Sequence, residues 1–425
     1  TNVGKYTSDT VLTVTMEQAR GEKEAEYKFF AGFADAFSGH LPEKKRSERS
    51  ILFKNLGNNR FEDISKKVKL QDESWTGDAS PVDFNQDGWI DLYVLNMQGD
   101  DQYYVNVEGE YFEKKSRDVF PLTPWGAMGV KTFDFENDGD MDLFITDMHS
   151  DMSEQVGPER ESYKSRQQWP ESMLLTQGKS IWGNAFYRNN GKGDFEEVSD
   201  QIGAENYWPW GISVGDLNAD GFDDVFIASS MNFPFRYAVN SLLLNNQGSE
   251  FLSSEFILGV EPRPDGRFAE PWFELDCDGE DKDHALAKGR SGRAVIWSAL
   301  GTRSSVMFDL DNDGDLDLFT AATNGAVAWQ ENNGAGSFTE RTIASHLQPE
   351  HDHATGIFAI DVDGDGDIDA LSSDINRAAI YWHENNGSQT FTQHTISNTA
   401  EGAYSVFAAD TDGDCLLYTS PSPRD

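Results

Sequence analysis

Five segments of the chain repeat one pattern of oxygen-bearing side chains, D-x-[DNE]-x-D-G-x-x-D, at residues 83–91, 134–142, 216–224, 309–317 and 361–369. If such a segment turns tightly, the side chains at positions 1, 3, 5 and 9 and the carbonyl at position 7 converge on one point, and Gly at position 6 permits the turn. Ligand sets made only of oxygen favour Ca²⁺ over soft transition metals. The pattern therefore predicts about five calcium sites.

The predicted ligands are the residues at positions 1, 3, 5, 7 and 9, with position 7 contributing its carbonyl oxygen. They are Asp83, Asn85, Asp87, Trp89, Asp91, Asp134, Glu136, Asp138, Asp140, Asp142, Asp216, Asn218, Asp220, Phe222, Asp224, Asp309, Asp311, Asp313, Asp315, Asp317, Asp361, Asp363, Asp365, Asp367 and Asp369. The alternative is that these are Asp-rich turns whose side chains cap their own backbone. The repetition of the same ligand spacing in five segments favours calcium binding over simple capped turns. A sixth copy begins at Asp410 and breaks off at Cys415, where Gly is expected.

Each complete segment continues into a short apolar stretch, such as LYVL, LFIT or VFIAS, that is typical of a strand. A second motif alternates with the first and predicts two strands joined by a turn, because Asn-Gly and related pairs supply the positive φ angles of a hairpin. Its copies lie at 51–65, 103–116, 186–199, 242–254, 327–343 and 380–396. One repeat thus holds an acidic segment between two strands and then an outer hairpin, or about four strands.

The first aspartates of successive acidic segments are separated by 51, 82, 93, 52 and 49 residues. A unit of about 50 residues fits one four-stranded blade, so we predict an all-β fold, a β-propeller of about seven blades over residues 26–414. The first blade, beginning at 26–39, is degenerate because it lacks the acidic segment, and the last blade is truncated. The two long intervals hold insertions at about 148–182 and 257–300, and insertions in repeat proteins often lie on the binding face.

The chain carries 74 acidic and 34 basic residues, a formal net charge of −40. Binding to nucleic acid or to anionic lipid needs a concentrated basic surface, so both are excluded as partners. Divalent cations are the natural partners of so many carboxylates, although an acidic surface also serves solubility. No run approaches the roughly 18 apolar residues of a membrane span. With only Cys277 and Cys415 present, no disulfide framework is predicted.

Over about residues 26–414 the acidic segments and hairpins resemble the FG-GAP/VCBS repeat family, whose members include the integrin α-chain propellers. Residues 50–320, with LGTRSSVMFDLDNDGDLDLFTA at 300–321, look more particularly like bacterial homologues of cartilage acidic protein. From about residue 322 the repeats look like the generic VCBS type. The resemblance implies a seven-bladed propeller, calcium in the loops, secretion, and adhesion or contact with proteins or carbohydrates.

The calcium supply bears on where such a protein works. Extracellular calcium modules bind at roughly 10⁻⁴–10⁻³ M, and cytosolic calcium is too low to fill them, so we expect an extracellular or periplasmic monomer with a protein or glycan ligand. The chain starts at Thr1 without a Met or a signal-peptide pattern, which we interpret as a mature form or a fragment. Residues 1–25 are interpreted as an N-terminal segment, and residues 415–425 as a non-native tail.

The sequence shows no recognisable catalytic constellation, so the main hypothesis is a binding scaffold rather than an enzyme. Residues 211–215 match the G-x-S-x-G nucleophile motif, but they lead into an acidic segment instead of a helix. His351 and His353, with His346 nearby, are interpreted as a surface cluster rather than a transition-metal site. The alternative hypothesis is a propeller-fold polysaccharide lyase with a site built from the two insertions.

Aromatic residues are the remaining candidates for ligand contact. The tryptophans that lie shortly before acidic segments are interpreted as packing between blades rather than as a platform for sugars; they are Trp75, Trp125, Trp208, Trp210 and Trp297. In the first insertion, Tyr163, Arg166 and Trp169 are candidates for a ligand-facing loop.

Overall fold

A computed structural model gives the fold of most of the repeat region. It describes residues 50–57, 60–70, 76–96, 100–124, 126–148, 180–181, 183–206, 209–229, 239–261, 269–284, 287–299, 301–322, 327–334, 337–344, 354–374, 377–400, 403 and 405–408. Several predicted features lie outside these residues: the degenerate first blade, the candidate residues of the first insertion, the histidine cluster, and the truncated last repeat with its tail.

The described residues form strands joined by turns, with two short helices. The strands are β1 (Phe53–Asn55), β2 (Phe61–Asp63), β3 (Thr76–Val82), β4 (Asp91–Asn96), β5 (Gln102–Val107), β6 (Tyr111–Lys114), β7 (Thr123–Pro124), β8 (Ala127–Phe133), β9 (Asp142–Asp147), β10 (Ser180–Ile181), β11 (Ala185–Asn189), β12 (Phe195–Glu197), β13 (Pro209–Gly215), β14 (Asp224–Ser229), β15 (Ser241–Asn245), β16 (Phe251–Ser253), β17 (Ala269–Asp276), β18 (Arg293–Ala299), β19 (Thr302–Phe308), β20 (Asp317–Ala322), β21 (Val327–Asn332), β22 (Phe338–Ala344), β23 (Ala354–Ile360), β24 (Asp369–Asp374), β25 (Ala379–Asn385) and β26 (Phe391–Ser397). The helices are α1 (Ser116–Val119) and α2 (Ser199–Ile202).

Five sheets within the described residues have four antiparallel strands each, in meander order. We call them blades 1 to 5: β3–β6, then β8 with β9, β11 and β12, then β13–β16, β19–β22 and β23–β26. This arrangement confirms the prediction of an all-β fold built from four-stranded propeller blades. The six predicted hairpins are also confirmed, five as the outer strands of blades and one as the separate pair β1–β2.

The acidic segments, named acid loops 1 to 5 in chain order, connect the first strand of each blade to the second. In every blade the residue before the loop pairs with the aspartate at position 9, so the ladder closes the loop. The pairs are Val82 with Asp91, Phe133 with Asp142, Gly215 with Asp224, Phe308 with Asp317, and Ile360 with Asp369. The sequence therefore places each cluster of carboxylates at the same end of its blade.

The chain divides into two compact units, of which the first contains β1–β12 and the second β13–β26. The core of the first unit lies between blades 1 and 2 and is centred on the buried ring of Phe120, which directly follows α1. Its ring packs edge-on against Tyr93 and Tyr187, with centroids 5.2 and 5.0 Å away. Such edge-to-face contacts add specific geometry to the burial of large apolar surface.

The second unit buries apolar side chains between successive blades. Phe226 of blade 3 and Leu318 of blade 4 belong to one cluster, while Phe319 and Trp329 of blade 4 meet Ile357 of blade 5 in another. In blade 4 the second strand supplies Leu318 to one cluster and Phe319 to the other, so both faces of this strand are buried. Burial on both faces explains why the second strands of blades 1 to 3 are nearly continuous apolar runs.

Part of the second insertion forms a hairpin of its own, in which β17 pairs with β18 outside the five blades. Its turn contains the acidic run at 276–284, where the buried Cys277 packs against Leu275 and Ala287. Within the described residues, no helix is long and apolar enough to cross a membrane.

Candidate metal centre

The aspartate at position 1 holds each acid loop in shape by accepting hydrogen bonds from its own backbone. In acid loop 4, Asp309 Oδ1 accepts from the amide of Asp313 at 3.1 Å and Oδ2 accepts from the amide of Gly314 at 3.0 Å. The equivalent bonds to the amide at position 6 form in the other four loops at 2.8–3.0 Å. This is the capping that the alternative interpretation expects. Each carboxylate oxygen has further lone pairs, however, so capping and cation binding are compatible.

Two residues of every loop have left-handed backbone conformations. Position 6 is always Gly, with φ between 88° and 96°, which confirms the role predicted for it. Position 4 also has positive φ, and it is occupied by Gln86, Asn137, Ala219 and Asn312 in the first four loops. Residues other than Gly, Asn and Asp rarely adopt this backbone conformation, so at Gln86 and Ala219 it is imposed by the hydrogen bonds of the loop rather than by local preference.

The aspartate at position 9 is buried and anchored from two sides. In acid loop 4, Asp317 accepts hydrogen bonds from the backbone amides of Asn332 at 2.8 Å and Leu310 at 3.0 Å. Burial raises the pKa of Asp317 to about 6, although these bonds lower it. Burial likewise raises the pKa of Asp224 in acid loop 3 to about 7. A bound cation would supply the positive charge that compensates a buried carboxylate of this kind.

An aromatic side chain of the third strand lies beside position 9 in three blades. In blade 1, Tyr103 donates a hydrogen bond from its hydroxyl to Asp91 at 2.5 Å. In blades 4 and 5 this residue is a tryptophan, three residues before the strand's final Asn: Trp329 lies beside Asp317, and Trp382 beside Asp369.

Carboxylates converge most closely in acid loops 4 and 5. In each, one oxygen from each of positions 1, 3 and 9 lies within 4.8 Å of the other two; the groups are Asp309, Asp311 and Asp317, and Asp361, Asp363 and Asp369. Within the described residues, Oδ1 of Asp311 is buried and has no hydrogen-bond partner. An all-oxygen set with an unsatisfied buried oxygen fits a hard cation such as Ca²⁺.

The predicted ligands at position 5 do not join these three-carboxylate groups. Asp313 and Asp365 are exposed, and their Oδ1 atoms accept hydrogen bonds from the amides at position 7, both at 2.9 Å. Acid loops 1 and 3 carry Asn85 and Asn218 at position 3, which leaves them one carboxylate fewer.

Acid loop 2 differs from the others in its position 3. Glu136 forms an ion pair with Arg188 of β11, and it also hydrogen-bonds the carboxyl group of Asp142. Burial raises the pKa of both Glu136 and Asp142. Arg188 was not among the predicted site residues, because it lies 46 residues after Asp142 in the chain.

The Asn that ends the third strand joins neighbouring acid loops. In blade 4, the Asn332 side-chain amide donates to the carbonyl oxygens of Leu316 at 3.0 Å, in its own loop, and of Leu217 at 2.9 Å, in acid loop 3. In blade 2, Asn189 does the same to Met141 and Phe84, both at 3.2 Å. The sequence interpretation used these asparagines only as hairpin signals. The recurrence of Asn332 and Asn385 three residues after a tryptophan was the available clue.

Ser213 and Trp210, which the sequence offered as candidates for catalysis and for sugar contact, both have structural roles. Ser213, the serine of the G-x-S-x-G match, lies 5% exposed within β13, and its Oγ is 2.7 Å from Ser305 Oγ. The strand leads into acid loop 3, so the strand–turn–helix context of a nucleophile is absent from this described stretch. Trp210 stacks against Arg303 of the next blade, with Cζ 3.7 Å from the ring centroid, as expected for packing between blades.

Comparison with models of known protein families shows to which family the chain belongs. The profile of the FG-GAP-like repeat family matches residues 83–145, 169–227, 309–372 and 361–418, which together exceed half of the chain. This chain belongs to the FG-GAP-like repeat family. The four matched stretches of this FG-GAP-like protein include acid loops 1 to 5, so the loops described above are part of what defines the repeat.

Solved structures resemble the protein only distantly. One is a lectin of Agrocybe aegerita reported to recognise non-reducing terminal N-acetylglucosamine; it has 16% identity and a TM-score of 0.42, with 83% of this chain and 75% of the lectin covered. Another is BBS1N in complex with ARL6DN, with 8% identity, a TM-score of 0.38, and 75% and 67% of the two chains covered. Among curated proteins, no sequence match is found.

Proposed function

We propose that this FG-GAP-like protein is a calcium-loaded binding scaffold that works outside the cytosol and holds a protein or glycan ligand without transforming it. The observation that carries the proposal is the convergence of three carboxylate oxygens within 4.8 Å in acid loops 4 and 5. Such a group repels itself unless a cation lies among its members. Micromolar or lower cytosolic calcium would leave extracellular-type sites empty, which favours an extracellular or periplasmic location.

The chain's own residues prepare the site for the ion. The capping bonds at position 1 fix the loop, and the amides of Asn332 and Leu310 fix Asp317 at position 9. When bound, calcium supplies the positive charge that offsets these carboxylates. Because Asn332 and Asn189 connect the loops of adjacent blades, order in one loop supports the next blade. Binding of ions in this way stiffens the scaffold on which ligand-contacting loops are mounted.

Terbium luminescence tests the metal assignment directly, since Tb³⁺ occupies calcium sites and is excited by nearby aromatic rings. Trp329 and Trp382 lie beside position 9 of acid loops 4 and 5, so we expect saturable sensitised emission that Ca²⁺ displaces and that Mg²⁺ at equal concentration does not. Trp329→Phe should reduce the emission of acid loop 4 while leaving its ligands in place. Emission that never saturates with Tb³⁺, or that monovalent salt abolishes as effectively as Ca²⁺ does, would reject the calcium proposal.

The binding role has a separate test. A glycan array and an extracellular-protein array, each probed with the full chain in calcium and again in EDTA, should show a ligand that is retained intact and released when calcium is removed. Unsaturated sugar products formed from an acidic polysaccharide would contradict the proposal and establish the lyase alternative.

A further inference from the structure

One position of the third strand sets the charge beside each acid loop. It is the residue immediately before the strand's final Asn, and it differs among the five blades: Val105, Arg188, Leu244, Glu331 and Glu384. The final Asn donates its backbone amide to position 9 in every blade, at 2.7–2.8 Å, so this neighbour has the same placement each time.

Blades 4 and 5 place a further carboxylate at this position. Glu331 acts electrostatically on Asp311, and Glu384 on Asp363, which are the position 3 residues of their loops. Each Glu also has a partner on the fourth strand, where Arg341 donates from Nε to Glu331 at 2.7 Å. In blade 4 the positive charge of Arg341 therefore pairs with a group outside the predicted ligand set.

Blade 2 places the positive charge against a predicted ligand itself. Arg188 pairs with Glu136 at position 3, and the side chains are only 28% and 22% exposed. Glu136 in turn hydrogen-bonds Asp142 at position 9. The guanidinium group thus compensates the carboxylate at position 3, which is one of the three positions whose carboxylates converge in acid loops 4 and 5.

We propose that Arg188 is the built-in counter-ion of acid loop 2, which keeps this loop folded without calcium and sets it apart from loops 4 and 5. This inference rests on the proposed calcium function. A fixed positive charge repels a second cation and competes for Glu136. An opposite charge at ion-pair distance changes the proton affinity of a carboxylate by about 1–3 pKa units. A divalent ion carries twice the charge of a proton, so we expect a reduction of at least about tenfold in the calcium affinity of acid loop 2.

The matched control is Arg117, which pairs with Asp100 in the same compact unit. The Arg117 and Asp100 side chains are 31% and 22% exposed, close to the values for Arg188 and Glu136, and neither belongs to an acid loop. Arg188→Gln and Arg117→Gln remove the same charge from the same unit. Any difference between them in calcium binding therefore reports the position of the charge rather than its loss.

The experiment combines calcium stoichiometry by equilibrium dialysis with amide hydrogen exchange of the acid loops, on the wild-type chain and both variants. At a calcium concentration just sufficient to fill acid loops 4 and 5, calcium should slow exchange in those two loops of the wild type and leave acid loop 2 unchanged. Arg188→Gln should bind one more calcium ion per chain and gain calcium-dependent protection in acid loop 2, whereas Arg117→Gln should behave as the wild type.

Two results overturn the inference, and they are distinguishable. Calcium-dependent protection of acid loop 2 in the wild type, at the same calcium concentration as acid loop 4, removes the role of Arg188 while leaving the calcium function intact. This measurement needs no variant, so it holds even if Arg188→Gln fails to fold. If calcium protects none of the loops, the proposed function itself fails, and the inference fails with it.

Discussion

The side-chain amide of Asn332 donates a hydrogen bond of 2.9 Å to the carbonyl oxygen of Leu217, which joins the third strand of blade 4 to the acid loop of blade 3. The bond is buried, and the same amide also reaches Leu316 in its own loop. Asn189 repeats this link between blades 1 and 2, where its side-chain amide donates to the carbonyl oxygen of Phe84 in acid loop 1. Two acid loops are thereby fixed by one side chain.

Replacing Asn332 by Ala should therefore destabilise the protein. The substitution leaves the buried carbonyl of Leu217 and the partly buried carbonyl of Leu316 without this donor, and each buried group left unsatisfied costs about 1–3 kcal/mol. Asn333, the next residue, is exposed, and Asn333→Ala should cost less than about 1 kcal/mol. Chemical denaturation of the two variants, followed by tryptophan fluorescence, compares them. Equal stability of both variants would show that the hydrogen bonds between the loops do not contribute to the free energy of unfolding.

The effect of Asp311→Ala on the stability of the protein should change sign when calcium is added. Without calcium the variant should be as stable as the wild type or more so, because the buried, unpartnered Oδ1 is removed from a repelling cluster. With saturating calcium it should be less stable than the wild type, since a ligand at position 3 is lost. Asp315→Ala, which removes an aspartate expected to coordinate only through its carbonyl, should retain the calcium response. Melting temperatures of both variants are measured in EDTA and in calcium. If Asp311→Ala is destabilised equally in the two conditions, Asp311 is not a metal ligand.

The calcium-free protein should become less stable as the pH rises from about 5 to about 8. Burial raises the pKa of Asp224 to about 7 and that of Asp317 to about 6, above the ordinary value of 3.8. The folded chain therefore binds protons more tightly than the unfolded chain, so the stabilisation is complete below pH 3.8 and is lost as the pH rises through the folded pKa values. Melting temperatures in EDTA across this range check the sign. Saturating calcium needs the ionised carboxylates and should abolish the slope, whereas a melting temperature in EDTA that rises with pH would be contrary to the account.

Phe84 at position 2 of acid loop 1 anchors that loop in the core of the first unit. Its fully buried ring packs against Phe195 and Tyr103, with centroids 4.9 and 5.7 Å away. Phe84→Ala should lower the free energy of unfolding by about 3–5 kcal/mol. Phe256, whose side chain is 55% exposed, offers the control, with an expected effect within about 0.5 kcal/mol. Urea denaturation distinguishes them; similar losses would mean that Phe84 does not anchor the loop.

The fold could be predicted from the sequence because the acidic segment and its flanking strands occur five times with the same spacing. The position of the acid loops, the hairpins and the Gly at position 6 followed from local turn chemistry, and the structure has all three. What local chemistry did not predict is the grouping of positions 1, 3 and 9 without position 5. Asp313 accepts a hydrogen bond from the amide of Asp315, and such a choice between backbone and ion depends on the folded loop.

Residues distant in the chain were harder to predict. Arg188 lies far from Glu136 in sequence, and only the pairing of β11 with β9 brings them together. Asn332 likewise reaches Leu217 across 115 positions. These contacts come from packing within and between blades, which a repeat pattern implies in outline but does not assign to particular side chains.

Thermal unfolding of the full chain in EDTA and across a calcium titration, with magnesium at matched ionic strength as the control, tests the central claim most directly. Each calcium site adds about 1.4 kcal/mol when free calcium is tenfold above its dissociation constant, so several sites should raise the melting temperature by about 5 °C or more. We predict a large, saturable rise that is specific for calcium and is diminished by Asp309→Ala and Asp361→Ala. A rise no larger than that given by magnesium would contradict the calcium-loaded scaffold and leave the acid loops as ordinary capped turns.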